Sequence, residues 1–244
     1  MQATAGLRSG KRYRDRVQEV EDQKASRSET TRTRIVEAAL RLFQENGYDR
    51  TTMRAIAKEA GVSVGNAYYY FDSKEQLVQG FYDRIAELHT QRCAGILASQ
   101  KDFRDRLGGV LLMWLEVAGP YHQFGRQFFV NAADPESPLS PFSPESSPAR
   151  DAQIALWREV LEGSTAKIDP DLRDDLPELL WLYHMGVVLF WVHDRSAGAT
   201  RTRLLVERTV PLLDRLASLS RLRVLRPVTR DIVRLVKEML RPET

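Results

Sequence analysis

The stretch Thr51–Phe71 reads TTMRAIAKEAGVSVGNAYYYF, and its punctuation decides the fold. Thr52 can cap a helix by accepting from backbone amides near Arg54 and Ala55. Ile56, Ala57 and Ala60 make one small apolar face, and Ala57 is slight enough for another helix to cross closely. Gly61 supplies a left-handed residue at little cost and ends that helix. Val62 is expected to anchor the turn in the core, and Ser63 to cap a second helix reaching Tyr70. From Gly61 to Phe71 no side chain is acidic, as a surface facing phosphates requires. Two short helices about a glycine turn are the layout that sets a helix into the DNA major groove.

Working outward, the first helix spans Thr31 to Asn46, with Ile35, Ala39, Leu42 and Phe43 at helical spacing and Gly47 at its end. A long helix starts near Ser73, with Glu75 and Gln76 in its first turn, and reaches about Ser99. Leu77, Phe81, Ile85 and Leu88 are its expected buried stripe.

The run Gly47-Tyr48, Thr51-Thr52, Ile56-Ala57, Ala60-Gly61-Val62-Ser63, Gly65, Tyr68-Tyr69-Tyr70-Phe71, Ser73-Lys74-Glu75 and Leu77 resembles the DNA-binding domain of the TetR family of transcriptional regulators. It holds without a gap from Thr31 to Leu77, under a third of the chain. Ala67 departs from it, standing where the family more often carries a larger aliphatic residue. The resemblance implies an all-α homodimer: an N-terminal three-helix helix-turn-helix DNA-binding domain and a C-terminal helical ligand-binding and dimerisation domain. It also implies that the helix from Ser73 links the two.

Composition agrees. The chain has 244 residues, 43% apolar and 28% charged, enough for one compact unit or two small ones. A formal charge of +3 suits a nucleic-acid partner but decides little, since Glu37, Glu45 and Glu59 offset basic residues around the motif. The single cysteine, Cys93, excludes an intramolecular disulfide and a cysteine-cluster metal site, and reads as a small packed hydrophobe. The N-terminus lacks the apolar core of a signal peptide, and Leu179–Val192 is too short for a bilayer. A cytoplasmic protein without a membrane partner is the expectation.

Three domains are expected: a basic arm over 1–28, the helix-turn-helix domain over 29–75, and the helical domain over 76–244. The arm carries Arg8, Lys11, Arg12, Arg14 and Arg16 with almost no apolar periodicity, and reads as disordered. It either adds phosphate or minor-groove contacts or is simply a solvated tail. Beyond residue 100 the pattern is helical, with no convincing strand. Helices are expected from Phe103 to Gly119-Pro120, Tyr121 to Ala132, Ala149 to Gly163, Asp174 to His193 and Thr200 to Ser220. The last two are the candidates for a four-helix dimer interface. Between the second and third, Asp134–Pro148 has prolines at 135, 138, 141, 144 and 148, and reads as a mobile loop or a lid. Pro227 is expected to open a short final helix with Ile232, Leu235, Val236 and Leu240.

For DNA, the helix Ser63–Tyr70 presents Ser63, Val64, Gly65 and Asn66. Asn66 is the candidate base reader, since its amide can donate to and accept from adenine. Val64 suits a thymine methyl, and Gly65 allows close backbone approach. Thr52 and the amides after it form a candidate phosphate clamp at a helix N-terminus, and Arg54 can reach phosphate or a guanine edge. By resemblance, Tyr68, Tyr70 and Lys74 occupy phosphate-contacting positions. Three adjacent aromatics cannot all face DNA, so Tyr69 is assigned to the core with Phe71 while staying a DNA-binding candidate.

For a ligand, the C-terminal half offers Trp114, Tyr121, His122, Phe128, Asn131, Trp157, Tyr183 and His184, with Phe124, Phe129, Trp181 and Trp191 beside them. Aromatic walls with a few polar groups suit a small hydrophobic or amphipathic effector; the same spacing also describes an ordinary core. The four histidines, His89, His122, His184 and His193, have no metal-ligand spacing, and neither a nucleophile elbow nor a phosphate loop occurs. The chain is therefore expected to be a non-enzyme without a cofactor. The reading is a ligand-responsive regulator, a repressor that binds an inverted-repeat operator as a dimer. An activator of the same fold, a non-specific DNA binder, and a protein acting through protein contacts stay open.

Overall fold

A computed structural model describes residues 27–222, together with positions 227, 231, 234, 235 and 238. Among the described residues every regular element is helical, as expected. The chain divides into two compact units, one up to Val78 and the other from Gln79 onward.

In the first unit, α1 is helical from residue 27 to residue 46. It is thus helical four residues before the expected start and overlaps the end of the expected arm; residues 1–26 lie outside the described ones. Gly47 ends it with φ +83°, the left-handed backbone that favours glycine. Helices α2 (Met53–Glu59) and α3 (Val64–Tyr70) follow, and α4 (Lys74–Ser99) runs on past Val78. Ile35, Phe43, Ile56, Ala57, Ala67, Phe71 and Leu77 are all buried, one from nearly every segment, which fixes α1, α2 and α3 around a single core. The residue expected to anchor the turn, Val62, is only half-buried, because the backbone bonds below hold the turn instead.

In the second unit, α5 (Phe103–Ala118), α6 (His122–Ala133), α7 (Ser147–Glu162), the short α8 (Pro170–Arg173), α9 (Leu176–His193) and α10 (Thr200–Leu219) succeed one another. Helix α7 packs on α9, and α5 on α10. Leu107, Val110, Leu111, Leu156, Trp157, Val160, Val187 and Val206 fill the centre. Asp102 caps α5 by accepting from the Asp105 amide at 3.2 Å.

Two expectations change here. On α4 Leu77 and Phe81 are buried as expected, but the buried line continues through Ala86, His89 and Cys93, whereas Ile85 and Leu88 are only half-buried. The helix turns its small and polar residues inward because α5 and α7 supply partners for them, as His89 shows below. The segment 134–146 is a packed run of turns. Leu139, Ser140, Ser143 and Ser146 are buried, and the Gln79 amide donates to the Pro138 carbonyl at 2.6 Å. Arg150 donates to the Pro141 and Ser143 carbonyls, each at 3.0 Å. Pro148, expected in the loop, lies in the first turn of α7, where a missing amide costs nothing. The final helix from Pro227 falls almost entirely outside the described residues.

Candidate nucleic-acid interface and effector site

The turn between α2 and α3 is built by backbone bonds. Gly61, at φ +66°, donates to the Lys58 carbonyl at 3.1 Å, and Val62 donates to the Ala57 carbonyl at 2.9 Å. That pair satisfies carbonyls left open at a helix end and reverses the chain in two residues. From α1, Arg34 adds a bond to the Ala60 carbonyl at 2.7 Å. Thr52 caps α2 by accepting from the Ala55 amide at 3.2 Å, and Ser63 caps α3 by accepting from Asn66 at 3.1 Å. The buried Thr51 hydroxyl, which sequence reasoning passed over, bonds the Gly47 carbonyl at 2.8 Å and locks the entry to α2.

Helix α3 buries Ala67 and shows Val64, Gly65, Asn66, Tyr68 and Tyr69 to solvent. Ser63, Thr52 and Arg54 are also exposed. Tyr70 is half-buried, and Phe71 is buried beneath the Arg32 guanidinium, 5.1 Å from the ring centroid. Tyr69 is not core: it is 80% exposed and stands edge-on to Tyr70 at 5.2 Å. Residues four apart share a helix face, so Ala67 and Phe71 take the inward side and Tyr69, two positions along, must point out.

Lys74 is occupied within the unit. Its ammonium donates to the Tyr48 carbonyl at 2.8 Å and lies 4.3 Å from the Tyr48 ring centroid. The Tyr48 hydroxyl in turn donates to Glu75 at 2.7 Å. Burial raises the Tyr48 hydroxyl above its ordinary value. Burial also raises the Glu75 carboxyl, but the bonds it accepts from Tyr48, its own backbone and Ser73 outweigh that and leave it below the usual range. Lys74 therefore pins the turn after α1 to the start of α4.

In the second unit the aromatic candidates separate into groups. Trp114, Trp157 and His184 converge, with ring centroids 4.9 Å apart for Trp114–His184 and 5.6 Å for Trp157–His184. His89 joins them at 6.1 Å from His184, bonded through Nε2 to the Val110 carbonyl at 2.8 Å and through Nδ1 to Gln153 at 3.0 Å. Desolvation lowers the pKa of both imidazoles, far below 6.5 for His184. Gln153 was missed in the sequence; its signal was the four-residue spacing to Trp157 on one face of α7.

A second group gathers around α6. Tyr121 stands edge-on to Phe81 at 5.0 Å, Phe124 and Phe128 stack at 5.2 Å, and His122 donates to the Trp191 carbonyl at 2.7 Å. Phe129 packs edge-on against His193 at 5.3 Å. Trp191 connects the groups, 5.1 Å from Trp114. Trp181 lies apart, against Phe142 at 5.2 Å. Tyr183 is also outside both, because its hydroxyl bonds Thr209 of α10. Asn131 lies in α6 at a position whose side chain is outside the described residues. Cys93 is fully buried and its thiol is pushed up to about 12 by desolvation, the state of a packed hydrophobe. Among the described residues no three His, Cys, Asp or Glu side chains are grouped to hold a metal, and no helix is long and apolar enough to cross a membrane.

A tight-turn helix pair followed by a unit that is helical throughout its described residues is a helix-turn-helix architecture. The comparisons agree: residues 35–80 match the model of bacterial regulatory proteins of the tetR family, and residues 106–239 match the tetracyclin repressor-like C-terminal domain. The chain belongs to the TetR family of transcriptional regulators, a DNA-binding and non-enzymatic family. It is 37% identical over 90 residues to the regulator TtgR of Pseudomonas putida, covering 37% of this chain and 42% of TtgR. The probable regulator ArpR of the same species gives the same figures, 37% identity over 90 residues, 37% of this chain and 42% of ArpR. The chain thus spans about two fifths of the length of these curated relatives. Among solved structures, a putative TetR-family regulator from Syntrophomonas wolfei superposes with a TM-score of 0.62 at 18% identity, over 76% of this chain and 95% of that one. FadR of Thermus thermophilus, solved with lauroyl-CoA, gives a TM-score of 0.53 at 22% identity, over 74% and 93%.

Proposed function

We propose that this regulator is a repressor that binds an inverted-repeat operator as a homodimer and is released by a small hydrophobic or amphipathic effector. The observation that carries the reading is α3: a capped helix with Val64, Gly65, Asn66 and Tyr68 on one exposed, uncharged face. Thr52, Ser63, Arg54, Tyr69 and Tyr70 flank it as phosphate and groove contacts, and Lys74 holds the start of α4 to Tyr48. In this reading the DNA-binding domain ends within the first unit, and the effector and dimer functions belong to the second.

Dimerisation is supported by α10, which leaves Leu212, Leu216 and Leu219 exposed at positions i, i+4 and i+7, with Leu189 and Phe190 exposed on α9. An apolar stripe of that kind on a soluble helix marks an interface, and a two-fold pairing of α9 and α10 covers it. Two recognition helices then sit roughly 34–36 Å apart, or multiples of it, on one face of the duplex.

The effector reading rests on the Trp114–Trp157–His184 group, and the acyl-CoA complex of FadR is an example of a bound small molecule in a structural neighbour. Helix α4 carries Lys74 near its start and His89 midway, so a ligand that moves His89 acts on a helix whose first turn belongs to the DNA-binding unit. A ligand works only through its differential affinity for the two states.

Selection of bound fragments from the source genome tests this. Enrichment of one inverted repeat, with lower expression of the adjacent gene when the protein is present, is the expected result. Raised expression from the same footprint would make the protein an activator, and binding without enrichment would make it a non-specific binder.

A further inference from the structure

Three side chains in the interior of the second unit have polar atoms without a hydrogen-bond partner: Gln153 Nε2, Trp157 Nε1, and both ring nitrogens of His184. They are 8%, 0% and 1% exposed, so bulk water does not satisfy them. Buried polar groups are almost always paired, because leaving one open forfeits its hydration with nothing in return. Three such residues side by side, on two facing helices, are not incidental.

The chemistry of the group is specific. Trp157 Nε1 is a donor only. His184, neutral because it is desolvated, offers one N–H and one lone pair. His89 Nε2 meets the Val110 carbonyl at 2.8 Å and its Nδ1 meets Gln153 Oε1 at 3.0 Å, so the Nε2 end of the Gln153 amide is the one left open. The nearby buried cation, Arg106, spends its guanidinium on four backbone carbonyls, those of Leu97, Gln100, Glu159 and Val160. The ring and amide groups described around His184 carry no positive charge, so an anion among them would be buried unpaired, which is prohibitive.

We propose that Gln153, Trp157 and His184 form the polar end of the effector site and select an uncharged aromatic or alicyclic molecule bearing a hydroxyl or carbonyl oxygen, its ring body lying against Trp114. The oxygen accepts from Trp157 Nε1 and pairs with His184 and the free end of the Gln153 amide. This rests on the reading that the second unit binds an effector, and adds the class of ligand.

Three probes of one shape test it: 2-naphthol, naphthalene and 2-naphthoate, titrated calorimetrically into the full-length protein. Naphthol is expected to bind about tenfold tighter than either of the others, and to shift the Trp157 indole N–H signal in nitrogen-15 spectra. Trp157→Phe keeps an aromatic ring and removes the donor, and its smaller ring affects naphthol and naphthalene alike, so the gap between the two should close to under about threefold. Gln153→Leu serves the same end should Trp157→Phe fail to fold. Equal binding of naphthol and naphthalene, a preference for naphthoate, or an unmoved Trp157 signal would each overturn the assignment. So would the absence of binding by any probe to a protein that still enriches its inverted repeat, which leaves the regulator reading standing. Failure of that reading shows separately, in the fragment selection.

Discussion

Gly163 lies against Arg106 so closely that a β-carbon on it would fall 2.3 Å from Arg106 Nη2. The glycine at the end of α7 is there for space, since its φ of −80° suits any residue. Through that gap the guanidinium reaches the last carbonyls of α4 and α7, at 2.6 to 2.8 Å, and ties the two helix ends together. Gly163→Ala should force the arginine out of this position and destabilise the second unit by about 1–3 kcal/mol, as overpacking does. Urea melts followed by circular dichroism will read it, and an unchanged midpoint would show that the guanidinium has room to shift.

Asp194 gives the fold a pH dependence of known sign. One carboxylate oxygen accepts from the Ser196 amide and hydroxyl, at 2.8 and 2.6 Å, and the other from the Thr202 amide and hydroxyl, at 2.9 and 2.8 Å. Burial opposes the charge, but these four bonds outweigh it and hold the carboxyl well below the usual range. The unfolded chain therefore takes up this proton first, near pH 4, and the contribution is complete above that and fades as pH falls further. Asp194→Asn should cost ~2 kcal/mol at pH 7, or roughly 4–8 °C in Tm. The difference between the two proteins should hold from pH 7 to about pH 5 and shrink as pH falls through about 4 and below, where the unfolded chain takes up this proton. Thermal melts across that range check both statements.

Tyr69 separates binding from stability. Because it is exposed, Tyr69→Ala should leave the melting midpoint within about 0.5 kcal/mol of wild type. If the ring meets DNA, affinity for the selected fragment should drop several-fold in fluorescence anisotropy. Ala67→Leu should do the reverse of the first effect, because Ala67 is fully buried between α3 and its neighbours. Overpacking there should cost about 1–3 kcal/mol.

The exposed stripe of α10 predicts assembly. Leu212→Glu combined with Leu216→Glu sets charges on the proposed two-fold seam, at positions already solvated in a single chain. Sedimentation should then show a monomer where wild type shows a dimer, with helix content retained and operator affinity lost. A doubly substituted protein that stays dimeric would put the interface elsewhere.

Some of this is legible in the chain and some is not, for physical reasons. Thr52, Gly61 and Ser63 announce α2, its turn and α3 because capping and left-handed backbone depend on the residue itself. The inward position of His89 on α4 escapes the sequence since the ring is buried only by virtue of partners on other helices, Val110 and Gln153. The loop 134–146 reads as mobile by composition, yet its serines bond the backbone: Ser143 donates to the Pro138 carbonyl at 2.8 Å, and Ser140 accepts from Phe142 at 3.3 Å. Nothing local reveals that Gln79 and Arg150 hold it from outside. Aromatic residues of α5, α7 and α9 can be read as core or as ligand wall, and only the grouping around His184 distinguishes Trp114 and Trp157 from Tyr183.

The central claim is that α3 reads base edges through Asn66. The direct test is the affinity of wild type and Asn66→Ala for the selected inverted repeat and for every single-base variant of one half-site, at fixed salt. The account predicts that Asn66→Ala loses about 1–3 kcal/mol of discrimination at one base pair in each half-site and keeps its preferences elsewhere. A variant with weaker binding but the same preference at every position would contradict it, and would reduce Asn66 to a backbone contact.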